Sequence, residues 1–336
     1  MRTFTTTLAA AVLAAGAASA QAVISNGTVE LGVDQDGQLN IFSGNPSAHD
    51  GTLYTGLRHV ATNLESTAHG CLCEGWGVGR GDTMVSGAAN NDRGGAVGLT
   101  NVSFSSTAST ATTVTDLNSG GLRVTHAFAP SAATSSLYEV KVTITNTSAA
   151  AISDVRYTRT FDWDVEPNTY EDVVTIRGTA TTSTLLYSGN DGFVDSDPFA
   201  GRSEIGGQLP NTDFVDFGPY DQGTNFDFGF GALAAGESYD FSIFYGATRT
   251  ESAALAALAA VGAELYSLGQ PSSDPLGTGT GTLFGSPVDT ATFIFGFAGV
   301  GGTPISPLPD PAAAIMLLGG IGALGGLRLG RRRKDA

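Results

Sequence analysis

Along the stretch "YEVKVTITNT", apolar and polar residues alternate one by one: Val140, Val142 and Ile144 interleave with Lys141, Thr143 and Thr145. A period of two is that of a strand with one face buried and the other in water. Shorter runs of β-branched and aromatic residues recur between Gly- and Asp-rich turns. Residues 29–33 and 39–42 flank an Asp36-Gly37 turn and predict a hairpin. Further strands are expected at 53–60, 97–105, 112–116, 122–128, 137–146, 155–163, 172–178, 183–187, 226–230, 238–245 and 292–297. One stretch changes period: in "ESAALAALAAVGAELY", residues 251–266, Leu255, Leu258, Val261 and Leu265 recur at helical spacing, with Thr248 and Glu251 as a capping box. Residues 271–281 read as a loop. The expected fold is therefore all-β, a large antiparallel β-sandwich with one packed helix near 251–266. With no repeat of fixed period and no strong linker, one domain over 21–303 is the simplest account, a division into two halves being the alternative.

The two ends follow other patterns. Arg2, an apolar Ala-rich run over 8–17 and the small residues Ala18-Ser19-Ala20 make residues 1–20 a secretory signal peptide, cleaved before Gln21. The last 31 residues read "SPLPDPAAAIMLLGGIGALGGLRLGRRRKDA". Residues 312–327 are uncharged and span about 24 Å as a helix, against a hydrocarbon core of about 30 Å. Arg328 can snorkel toward headgroups, and Arg331, Arg332, Arg333 and Lys334 form a membrane stop that stays cytoplasmic. Gly319, Gly320, Gly322, Gly325 and Gly326 suit close helix packing in a membrane.

A Pro motif, an apolar helix and an Arg cluster in that order resemble the PEP-CTERM class of sorting signals, in its Val-Pro-Leu-Pro-Ala variant. Pro307, Leu308 and Pro309 match, while Ser306 and Asp310 stand where that variant has Val and Ala. The resemblance implies an address rather than an activity: residues 304–336 would mark a substrate of an exosortase-type membrane protease, in bacteria that make extracellular polysaccharide. An ordinary single-pass tail anchor is the alternative, and in both cases the body faces outward.

Charge narrows the partners. Charged residues are only 14% of the chain, and between Gln21 and Thr303 ten Lys plus Arg stand against thirty Asp plus Glu, a net of −20, with Lys141 the single lysine. Such a body repels nucleic acid. Cations or neutral glycans fit it better, and solubility alone would also account for it.

The densest polar and aromatic cluster is "RYTRTFDWDVEP". On a strand it puts Tyr157, Arg159 and Phe161 on one face and Arg156, Thr158, Thr160 and Asp162 on the other, with Asp164 and Glu166 following. Arg156 would then align with the carboxylates of Asp162, Asp164 and Glu166. One reading is an arginine–carboxylate network holding register, with Trp163 in the core. Another is a site for Ca²⁺ or a sugar, with Trp163 or Tyr170 as platform, and catalysis by these carboxylates is a third. In "HGCLCEGWG", Cys71 and Cys73 predict a local disulfide near Trp76 in an exported chain. A metal site at His69, Cys71 and Cys73 would need a distant ligand such as His59 or His126. "DQDGQLN" places Asp34, Asp36 and Asn40 like the start of a calcium loop but lacks the closing Glu, so it reads as a turn.

There is no Gly-x-Ser-x-Gly elbow, phosphate loop, dinucleotide fingerprint or His-Glu-x-x-His, and His49, His59, His69 and His126 fit no triad pattern. Residues 138–164 resemble extracellular β-sandwiches of the mutarotase-like or immunoglobulin-like kind, which bears on fold class alone. The expected function is that of a non-enzymatic exported protein, membrane-anchored before processing and then at the cell surface or in the extracellular matrix. Its expected role is structural or adhesive, in contact with exopolysaccharide and without an obligatory cofactor. The alternatives are a secreted carbohydrate-binding module or carbohydrate-active enzyme using Asp162, Asp164 and Glu166, and a Ca²⁺-stabilised adhesin.

Overall fold

The alternating stretch forms the ten-residue strand Leu137–Asn146, in which Val140, Val142 and Ile144 are buried and Lys141 faces water. It lies in a nine-stranded sheet ordered Leu99–Ser106, Ala111–Leu117, Leu122–Pro130, Leu137–Asn146, Ser238–Thr248, Thr292–Ala298, Leu265–Pro271, Asp172–Arg177 and Phe214–Tyr220. A six-stranded sheet is ordered Leu185–Gly189, Gln222–Leu233, Ile152–Trp163, Gly75–Arg80, Val85–Asn90 and Gly95–Val97. The pairings within both sheets are antiparallel. This computed structural model describes residues 20–306. The leader up to Ser19, the motif Pro307, Leu308, Pro309 and the cluster Arg331, Arg332, Arg333, Lys334 lie outside the described residues.

The two sheets close on each other as a sandwich, because each carries an inward row of aromatics that only the other can cover. Phe161 stacks on Phe295 at 5.1 Å, Phe226 meets Phe297 at 5.4 Å and Tyr157 meets Phe241 at 5.1 Å. Inside this core sits an ion pair: Arg159 and Glu74, both fully buried, approach to 2.5 Å. Glu74 also accepts from the Leu39 N–H at 2.6 Å and the Tyr245 hydroxyl at 3.1 Å, so the charges enter the core with partners.

The helix is shorter than its sequence pattern. It runs Glu251–Ala260, and Thr250, not the Thr248–Glu251 box, caps it by accepting from the Ala253 N–H at 3.3 Å. Gly262 at φ +64° ends it, and Leu265 then begins the strand Leu265–Pro271. Ala254, Ala257 and Leu258 pack on the outer face of the nine-stranded sheet against Phe244, Leu268 and Ile294. The Thr292–Ala298 strand is thus covered on both faces.

The expected hairpin also changes. The Asp36-Gly37 turn forms, with the Gly37 N–H donating to the Asp34 carbonyl at 3.0 Å. However, Val29–Asp34 pairs with Gln21–Ser25 and Leu57–His59, while Ile41–Phe42 pairs with Tyr54–Thr55. The small sheet ends in Leu64–Glu65 and carries residues 65–66 to the end of Ile152–Trp163, where the site lies. Among the described residues, no helix is long and apolar enough to cross a membrane.

Candidate functional site

Ile152–Trp163 delivers the predicted carboxylates, but not with the predicted arginine. Arg156 forms its ion pair with Asp154 at 2.6 Å, both about a third exposed. The separation explains the correction: six residues along a strand span about 20 Å, so Arg156 shares a face with Asp162 but cannot reach it. Asp162 is buried because Gly192 and Gly223 let neighbouring backbone lie against it. A Cβ on Gly192 would stand 2.7 Å from the Asp162 Cα, and one on Gly223 2.2 Å from the Phe161 carbonyl oxygen.

Beyond Trp163 the chain continues alongside residues 65–66. The Asp164 N–H donates to the Ser66 carbonyl at 2.7 Å and the Glu166 N–H to the Glu65 carbonyl at 3.1 Å. Glu166 is saturated: it accepts from the Ser47 hydroxyl at 2.5 Å and the N–H groups of Asp50 at 2.8 Å and Glu65 at 3.0 Å, with His69 Nε2 at 3.4 Å. Burial alone would raise its pKa, but His69, Ser47 and these backbone donors hold it down to about 2. It is a fixed anion tying three segments together.

Asp164 is its opposite. Fully buried, it has no hydrogen-bond partner on either carboxylate oxygen. Burial pushes its pKa up to about 8, with His69 opposing and Asp221 adding to the rise. Asp172 is also fully buried; its Oδ1 accepts from the Val165 N–H at 2.8 Å while its Oδ2 has no partner. Burial, then the neighbouring carboxylates Asp164 and Asp221, push Asp172 well above the usual range, and Asp162 rises for the same reasons. His69 is raised too, but against burial: burial would lower its pKa, and Glu166, Glu65 and Asp164 together outweigh it.

Asp172 and Asp221 were not foreseen, and topology brings them in. Tyr220 pairs with Asp172 in the nine-stranded sheet, and Gln222 pairs with Trp163 in the six-stranded one. Asp221 is the single residue between, where the chain crosses from one sheet to the other. It therefore meets Asp172 on one side and Asp164, the residue after Trp163, on the other. One carboxylate oxygen from each of the three lies within 4.8 Å of the others. No local motif announces this cluster; the signal available in the sequence was only an Asp at the start of one strand and another in a turn.

An open cleft of about 730 Å³ adjoins this acidic region, lined among others by Asp50, Thr52, Tyr54, His69, Asn91 and Tyr170. Tyr54 is 37% exposed and Tyr170 48%, each offering part of a ring to solvent. Tyr170 adopts φ +70°, unusual for a non-glycine residue. Of the two aromatic platforms expected, Trp163 is excluded: it is fully buried and its indole N–H donates to the Ser267 hydroxyl at 3.0 Å.

Cys71 and Cys73 are disulfide-bonded at the cleft rim beside Gly70 and Leu72. The Cys71 sulfur lies 3.2 Å from Asp162 Oδ2. A bridged sulfur has no S–H to donate, so any hydrogen bond here comes from Asp162 in its protonated form. The bridge also removes thiolate ligands from the His69–Cys71–Cys73 metal reading. Its proposed distant ligands lie elsewhere: His59 Nδ1 meets the Thr62 hydroxyl at 2.9 Å, and His126 is buried against Trp76 and Tyr157. Asp34 and Asp36 form a turn, the Asp36 N–H donating to Asp34 Oδ1 at 3.0 Å, and the buried side-chain amide of Asn40 stands apart from them without a partner. No protein-family model matches the chain and no curated protein matches it, so its function is read from this geometry.

Proposed function

We propose that this chain is an exported surface or extracellular-matrix protein whose sandwich displays the tyrosine-flanked cleft to extracellular polysaccharide. The C-terminal tail, which resembles a PEP-CTERM signal, would deliver it through an exosortase-type protease. The cleft carries this reading. Sugar rings present C–H faces that pack on partly exposed aromatic rings and hydroxyls that exchange hydrogen bonds with carboxylates, amides and hydroxyls. Tyr54 and Tyr170 supply the first, and Asp50, Asn91, Thr52 and Thr169 the second.

One observation favours catalysis instead: Asp164 near 8 and Glu166 near 2 are two close carboxyl groups with pKa values driven far apart, as an acid–base pair needs. Against it, both are fully buried and neither lines the cleft. Glu166 already spends its oxygens on protein donors. Binding is therefore the better reading.

Affinity electrophoresis through native exopolysaccharide tests this. The protein should be retarded, and Tyr170→Ala should lose at least tenfold in affinity while its melting temperature holds. Unretarded wild-type protein would sink the glycan reading. Release of reducing ends, abolished by Asp164→Asn, would establish the enzyme. The intact mass of the native protein tests the delivery arm: a chain ending near Pro307 to Asp310 supports sorting, and one retaining Ala336 refutes it.

A further inference from the structure

We infer that Asp164, Asp172 and Asp221 form a binding site for Ca²⁺ at the point where the chain crosses between the two sheets. The site goes beyond the glycan reading and does not depend on it. Three carboxylate oxygens within 4.8 Å of one another are costly to hold without a counter-charge, and two of the three residues are fully buried.

A cluster of acids is common on surfaces. What sets this one apart is that its buried oxygens are spare. Both oxygens of Asp164 and Oδ2 of Asp172 have no hydrogen-bond donor, whereas Glu166, two residues from Asp164, is surrounded by donors. The chain thus surrounds Glu166 with formed hydrogen bonds, whereas Asp164 has only the His69 backbone N–H nearby and no bond formed to it. His69, the cation acting on Asp164, is already engaged by Glu166 at 3.4 Å.

The chemistry of the donors selects the ion. Three carboxylates with neither nitrogen nor sulfur suit a hard cation and not zinc or copper. Asp221 is exposed, so one side of the site opens to solvent and leaves room for water to complete a coordination shell of six to eight oxygens. That irregular, partly hydrated arrangement suits Ca²⁺ better than the strict octahedron of Mg²⁺. The ligands come from three segments: the end of Ile152–Trp163, the start of Asp172–Arg177 and the crossing after Phe214–Tyr220. A bound ion would pin both sheets at one point.

The test uses the full-length chain, stripped with EDTA and titrated with CaCl₂ by calorimetry. Tb³⁺ serves as a luminescent substitute, with Tyr170 as the nearby sensitiser. Saturable binding is expected with Kd on the order of 10⁻⁴ to 10⁻³ M, the range of extracellular modules, together with a Ca²⁺-dependent rise in melting temperature. Asp221→Asn, at an exposed position tolerant of substitution, should weaken binding at least tenfold and remove that rise. Asp164→Asn should do the same without lowering the melting temperature of the EDTA-treated protein, in which burial already favours the neutral carboxyl. Asp289→Asn, remote and exposed, should change neither. The inference fails if binding does not saturate, if Mg²⁺ binds more tightly than Ca²⁺, or if Asp289→Asn weakens binding as much as Asp221→Asn, which would indicate diffuse counter-ion accumulation. No glycan enters the experiment, so its failure leaves the cleft reading standing.

Discussion

His126 shows how a single buried side chain makes a fold sensitive to acid. It is fully buried, in edge contact with Trp76 at 4.5 Å, with Nε2 3.0 Å from the Tyr157 hydroxyl and Nδ1 unpartnered. Burial, with Arg159 adding, pushes its pKa well below 6.5. The unfolded chain takes up a proton at this residue near pH 6.5 while the native state refuses it, so its contribution to stability is present above that pH and lost as pH falls. The slope approaches about 1.4 kcal/mol per pH unit. The raised carboxyl groups and His69 have the opposite sign and partly mask the effect. Their contributions are common to wild type and His126→Gln, so urea unfolding at pH 7 and pH 5 should show the variant losing less stability on acidification than the wild type. An equal loss in both would mean His126 is protonated in the native state. Nothing local in the sequence marks this histidine as a core residue beyond its place on an alternating strand. The same holds for Arg159, whose face was legible while its partner Glu74, 85 residues earlier, was not.

At the scale of elements, legibility followed water. Leu137–Asn146 was readable because one face is wet and the period of two survives in its side chains. Gly75–Arg80 was missed: both its faces are covered, and "GWGVGR" has small residues where neighbouring backbone approaches, a Cβ on Gly77 meeting the Ser196 carbonyl oxygen at 2.0 Å. The helix was found and its end misplaced, since Leu265 continues the spacing of Leu258 and Val261 past Gly262, which stops the helix. Its start rests on Thr250. Thr250→Ala removes the hydroxyl that accepts from the Ala253 N–H and should cost about 1 kcal/mol, seen as a lower urea midpoint. Thr248→Ala breaks only the bond from its hydroxyl to the Thr250 carbonyl and should cost less. Reversal of that order would return the cap to Thr248.

For the whole molecule, the sandwich class was written in strand periodicity, whereas the acidic site was not, because it depends on which strands become neighbours. The same topology holds the last described residues against the body. Val300 is fully buried in the core, and the N–H groups of Val300 and Gly302 both donate to Glu264 Oε2 at 2.9 Å. The Ser183 hydroxyl donates to the Gly301 carbonyl at 3.0 Å, and the Ile305 N–H donates to the Ala263 carbonyl at 2.8 Å. Residues 299–305 are thus stitched to the body although the last strand closes at Ala298. A chain stopped after Ser306 keeps every one of these contacts and should melt at the temperature of the full-length protein. A chain stopped after Ala298 loses the Val300 side chain from the core, about 1.5–3 kcal/mol, and strips Glu264 of two donors, so its midpoint should fall clearly. Cleavage near Pro307 would leave residues 299–305 untouched and release a body as stable as its precursor. If the chain ending at Ser306 instead unfolds, body and tail are one folding unit, and release by proteolysis at that motif becomes physically untenable.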